Sequence, residues 1–100
     1  MSDPHAEAPA LEELRAKVDA IDHELLRLLA RRSAVIEEIS AWKLPRAEPI
    51  QDVLRERELL EDRLAHAGRL GLEPSLVTAL FELVLRASRE QQAALRGERA

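Results

Sequence analysis

From Leu11 to Trp42 the apolar residues of this chain step three and four apart: Leu11, Leu14, Val18, Ile21, Leu25, Leu28, then Val35, Ile39 and Trp42. That is a heptad-like seam on one face of one long helix. The step between Leu28 and Val35 is filled by Arg32. A fixed positive charge in a packing seam costs several kcal/mol unless something compensates it. An anionic group is therefore expected beside Arg32, either another side chain or a ligand.

The same patterning predicts two further helices. Residues 1–8 are polar, small or Pro-bearing and read as a disordered tail. Pro9 suits a first helical turn, and the long helix is expected to run to about Leu44. At 1.5 Å per residue it would extend about 50 Å, too long for a compact globule of this mass. Pro45-Arg46-Ala47-Glu48-Pro49 breaks it, because each Pro biases its predecessor away from helix. A second helix is expected from Ile50 to Ala67 on Leu59, Leu60 and Leu64, ended by Gly68 and Gly71. Glu73-Pro74 then open a third, to about Leu95, on the stripe Val77, Leu80, Phe81 and Val84. Residues 97–100 form a second expected tail. No internal repeat, low-complexity tract or β-pattern interrupts this. The fold class is all-α, three helices in one domain over residues 9–96.

Composition agrees: 34% of the 100 residues are charged and only 2% are aromatic. So long a seam on so short a chain needs a second surface to bury it, which predicts a helical homodimer. The net charge of −4, with no basic block, argues against nucleic acid as the partner. With no cysteine, disulfides and thiol chemistry are excluded. The start has neither a basic n-region nor an apolar h-region, and no long apolar run follows. The expectation is a cytoplasmic protein that binds no membrane.

The chemistry is carried by charges inside the apolar stripes. Arg32 and Lys43 lie eleven residues apart and so about 20° apart in direction on an ideal helix, one cationic face. Arg15 precedes Arg32 by 17 residues, about 100° round and about 25 Å away. It can share a pocket only with the Arg32 of an antiparallel partner. On the second helix Asp52, Arg55 and Glu56 share the face of Leu59 and Leu60. On the third, the apolar stripe turns polar at Ser88 and Gln92. Taken singly these residues have structural readings: Arg32 paired with Glu56 or Asp52, Arg55 with Glu58 or Glu61 on a solvated face. Taken together they do not, because the buried-face carboxylates are too few to neutralise four cations. A pocket rich in Arg, with Lys and neutral donors, suits a small polyanion such as a dicarboxylate. No Ser–His pairing suggests a nucleophile. His5, His23 and His66 read as solvent-facing without metal-ligand spacing, so neither metal nor cofactor is called for.

With these residues in place, the chain resembles the all-helical chorismate mutases over about residues 10–95. The resemblance rests on Leu14-Arg15 and Ile21-Asp22, then Leu28-Leu29-Ala30-Arg31-Arg32, then Lys43. It continues with Pro49-Ile50-Gln51-Asp52-Val53-Leu54-Arg55-Glu56-Arg57 and closes on Ser88 and Gln92. No piece is specific alone; the order of the polar positions, with no gap needed, is the signal. It implies an intertwined dimer of three-helix chains that rearranges chorismate to prephenate for phenylalanine and tyrosine biosynthesis. It also implies roles. Arg32, Arg55 and Ser88 of one chain, with Arg15 of the other, would bind the two substrate carboxylates. Lys43 and Gln92 would hydrogen-bond the ether oxygen of the breaking C–O bond. Glu56 would accept from the ring hydroxyl, helped by backbone near Asp52. The Gln92 amide does not titrate, so activity should not require acid pH.

The pattern departs at Gln51 and Leu54, where relatives often carry charged or polar residues. Trp42 is expected to pack in the seam rather than against substrate. With no dehydratase or regulatory domain after Leu95, a stand-alone enzyme without feedback control in the chain is expected. Three alternatives stay open at this point. An isochorismate pyruvate-lyase or a mutase of 4-amino-4-deoxychorismate would use nearly the same clamp. A non-enzymatic helical dimerisation module would carry the charges structurally. The residues are also silent on activation by a partner enzyme of the shikimate pathway.

Overall fold

The computed structural model describes residues 10–97 as three α-helices. They are α1 (Leu11–Lys43), α2 (Val53–Arg69) and α3 (Pro74–Leu95), with a short 3-10 turn, Leu44–Arg46, after the first. No strand occurs among the described residues. The expected tail at 1–8, Pro9, and all but Gly97 of the tail at 97–100 lie outside them.

Residues 10–34 form one unit and residues 35–97 another. In the first, the helix begins with backbone bonds to the Ala10 carbonyl from Glu13 (2.9 Å) and Leu14 (3.2 Å). Glu12 and Glu13 in its first turn complement the helix dipole. No residue of this unit is buried, and the seam positions Leu11, Leu14, Val18, Ile21, Leu25 and Leu28 are 44–64% exposed.

The second unit holds the core. Ile36 and Ser40 are buried on the last turns of α1, Leu59 and Ala67 on α2, and Val77 on α3. α2 and α3 pack on each other, with the Arg63 guanidinium 6.0 Å from the centroid of the Phe81 ring. Leu60, Leu64, Phe81 and Val84 are half-buried, whereas Leu80, expected in the stripe, is exposed.

Helix ends differ from the sequence expectation in ways that local chemistry explains. α1 stops at Lys43 because Pro45 has no N–H to continue the ladder. The chain turns at Ala47, whose φ of 53° is left-handed without the freedom of glycine. α2 starts at Val53, not Ile50, because Asp52 is its N-cap: Oδ1 accepts from the Arg55 N–H at 3.0 Å. Asp52 is therefore a capping residue, not a member of the helix face. At the other end α2 runs through Gly68 to Arg69. Gly71, at φ +74°, is the true stop. The Leu72 N–H bonds to the Ala67 carbonyl (3.0 Å) and the Gly71 N–H to that of Gly68 (3.2 Å), a Schellman closure. Pro74 then occupies the first turn of α3, as expected.

Trp42, expected in the seam, is 55% exposed in the single chain. The Arg46 guanidinium lies 4.1 Å from its ring centroid while donating to the Trp42 carbonyl at 2.6 Å.

Candidate active site

Six of the expected polar residues lie in the second unit: Lys43, Asp52, Arg55, Glu56, Ser88 and Gln92. The Lys43 ammonium, at the last residue of α1, donates to the Ile50 carbonyl at 2.9 Å. One of its three donors is thereby used to fix it against the loop, and two remain. The loop is held from its other side by Arg96, whose Nη2 donates to the Glu48 carbonyl at 2.5 Å. Two residues beyond Ile50, Asp52 caps α2 and so sets the direction in which Arg55 and Glu56 leave the first turn. Arg55 is exposed and Glu56 half-buried.

On α3 the core stripe turns polar. Ser88 and Gln92, 7% and 5% exposed, are among the most buried polar residues described. They stand four residues apart, one above the other on a single face. The Ser88 hydroxyl donates to the Val84 carbonyl at 2.9 Å, a common resting place for serine inside a helix. The Gln92 Oε1 is buried without a hydrogen-bond partner, a condition that costs about 1–3 kcal/mol. The terminal torsion of a glutamine is broad and nearly two-fold, so either end of the amide can be turned to this position.

Glu56 is tied to α3. Arg89 Nη1 spans both carboxylate oxygens, at 2.7 Å to Oε1 and 2.9 Å to Oε2. Gln51 Nε2 stands 3.5 Å from Oε1 at the edge of the same group. Of the partners considered for Glu56 from sequence, none was Arg89. The residues are 33 positions apart, and no local spacing signals a bond across two helices. Arg89 is thus a partner of Glu56 that local sequence patterns do not reveal.

Arg15 and Arg32 belong to the first unit, the former exposed and the latter half-buried. His23 and His66 are exposed, His66 with Nδ1 3.5 Å from Arg69 Nη2; His5 lies outside the described residues. A pocket lined by Glu37, Ser40, Ala41, Leu44 and Leu95 involves none of the expected site residues. Among the described residues no helix is long and apolar enough to cross a membrane.

The described residues thus form an all-α domain with a lysine tied to a loop carbonyl, a carboxylate held by an arginine and two buried neutral polar side chains. Comparison with known proteins makes this specific: the chain belongs to the chorismate mutase type II family, which matches residues 14–93. It is 42% identical over 82 residues to a bifunctional chorismate mutase/prephenate dehydratase of Enterobacter agglomerans, covering 82% of this chain and 21% of that protein. The protein of the same name from Escherichia coli strain K12 is 38% identical over 82 residues, with the same coverage of both chains. A T-protein of Haemophilus influenzae is 29% identical over 79 residues, covering 79% of this chain and 21% of that protein. The chain therefore spans about a fifth of the length of the curated relatives it matches.

Proposed function

We propose that this chain is a chorismate mutase, converting chorismate to prephenate by a single pericyclic step in the cytoplasm. The observation that carries the reading is the polar end of the α3 stripe. Ser88 and Gln92 are buried where core residues belong, and Gln92 has an amide atom without a partner. Buried polar atoms are kept at that cost where a ligand completes them.

The reaction needs no base, nucleophile or metal from the protein. It needs the enolpyruvyl side chain folded over the ring, and stabilisation of negative charge on the ether oxygen as the C–O bond breaks. Arg32, Arg55 and Ser88, with Arg15 from a second chain, hold the two carboxylates and so impose the folded geometry. Lys43 and Gln92 donate to the ether oxygen. Lys43 is already oriented by Ile50, and preorganised donors of this kind are often the largest catalytic term. Glu56 accepts from the ring hydroxyl, and Asp52 fixes the first turn of α2 that presents it.

The second chain is part of the proposal. The apolar stripe on residues 11–34 is far too exposed for a lone helix in water. The buried apolar core of the chain, Ile36, Leu59, Ala67 and Val77, is small for a stable monomer. A homodimer that covers one stripe with another supports both the fold and the delivery of Arg15.

The test is the loss of chorismate absorbance with purified protein at neutral pH, with and without cell lysate to supply an activating partner enzyme. Prephenate formation that falls at least about a hundredfold in folded, dimeric Lys43→Ala and Arg32→Ala variants is the expected outcome. Unchanged turnover in both variants would remove the reading.

A further inference from the structure

Glu56 does not offer a bare carboxylate. Arg89 reaches it across the α2–α3 interface, and both side chains are largely enclosed, 21% exposed for Glu56 and 31% for Arg89. The geometry is unusual in one respect: a single nitrogen, Nη1, bridges both carboxylate oxygens at 2.7 and 2.9 Å. Each carboxylate oxygen has two lone-pair sites. The bridge therefore holds Glu56 in place while leaving acceptor capacity on its outer side. Arg89 follows Ser88 directly and precedes Gln92 by three residues, so the same stretch of α3 carries the buried polar side chains and the guanidinium that pairs with Glu56.

That pairing changes what Glu56 can recognise. A guanidinium stays charged at any working pH, so the Glu56–Arg89 unit is neutral as a whole. A neutral unit with a free lone pair is a good acceptor for a hydroxyl. It is a poor counterion for an ammonium, which needs an uncompensated negative charge when moved out of water. We propose that Arg89 is a positioning residue that determines specificity: by pairing with Glu56 it selects a substrate whose ring carries a neutral hydroxyl over one carrying an ammonium at that place. The inference rests on the reading that Glu56 meets the ring hydroxyl of chorismate.

The experiment measures kcat/KM for chorismate and for 4-amino-4-deoxychorismate with the intact dimer. The wild-type protein is expected to prefer chorismate. Arg89→Met leaves Glu56 uncompensated and should shift the preference ratio toward the amino substrate by at least about tenfold, the scale of one partly screened charge pair. Most of that shift should appear in KM, since the chemical step uses other groups. Arg89→Lys, which restores the charge, should bring the ratio back to within about threefold of wild type. The double variant Glu56→Gln with Arg89→Met removes both charges and should keep the preference for chorismate. If Arg89→Met is too unstable to assay, Arg89→Gln must move the ratio in the same direction. An unchanged ratio in a folded Arg89→Met or Arg89→Gln variant overturns the inference, as does a double variant that favours the amino substrate. Failure of the wild-type protein to turn over chorismate at all would instead overturn the underlying functional reading.

Discussion

Residues 11–34 and residues 35–97 carry equally plain apolar stripes, yet only the second buries one. Leu28 in the first is 55% exposed and Ile36, two turns later on the same helix, is 8% exposed. The periodicity does not change between them. What differs is burial within each unit: the second holds α2 and α3 around a small core, whereas none of residues 10–34 is buried. An amphipathic face states that something must cover it, not what. The polar residues divide in the same way. Lys43, Glu56, Ser88 and Gln92 have their positions set by bonds within the second unit or by burial there, while Arg15 and Arg32 belong to the first unit.

The strongest way to break this contrast is to charge the uncovered stripe. Ile21→Glu is expected to abolish the proposed dimer in sedimentation or size exclusion, and to remove chorismate turnover with it, because a carboxylate at a seam position that the second copy would bury costs several kcal/mol. A folded, active monomer would show that the stripe needs no second copy. Next come the two cations, one on each unit. Arg32→Ala and Lys43→Ala should each lower kcat/KM by about 10²- to 10³-fold with the dimer intact, as for removal of a preorganised charge. A large loss at Lys43 with none at Arg32 would confine the site to the second unit.

Gln92→Glu sharpens the account of the buried donor. A carboxyl can donate to the ether oxygen only while protonated, so activity should rise as pH falls and drop by about tenfold per pH unit above its pKa. The wild-type amide should give a flat profile over the same range. A flat profile for the variant would mean that Gln92 does not meet the reacting oxygen. Asp52→Ala should destabilise the protein by about 1 kcal/mol through loss of the α2 cap, read as a lower melting temperature. Ala47→Gly should have the smallest effect, a gain of under about 1 kcal/mol. Relief of the left-handed φ there slightly outweighs the added freedom of the unfolded chain.

Most of the fold could be read from the residues because helix signals are local. Pro45, Gly71 and Pro74 act through their own backbone, and the structure obeys each of them. The misreadings were also local. Asp52 and Gly68 were placed by face and residue type, whereas their roles depend on which N–H or carbonyl lies within reach. Asp52 caps because the Arg55 N–H, unbonded within the first turn, donates to its Oδ1; Gly68 stays helical because Gly71, not Gly68, takes the left-handed turn. Ser88 and Gln92 were legible as candidates, since a polar pair ending an apolar stripe breaks its pattern. Their place on a buried face followed from the same stripe; the orphaned amide atom was not legible, because it depends on what packs above it.

The chain's own order of residues determined the three helices, the face each one must bury, and the polar positions that interrupt those faces. These follow from a period of 3.6 residues per turn and from the backbone limits of Pro and Gly, which need no distant contact. Only the tertiary structure decided that Arg89 holds Glu56 across α2 and α3, that Lys43 is oriented by Ile50, and that none of residues 10–34 is buried. Such pairings join residues many turns apart, and their choice is set by packing of whole helices rather than by spacing along any one of them.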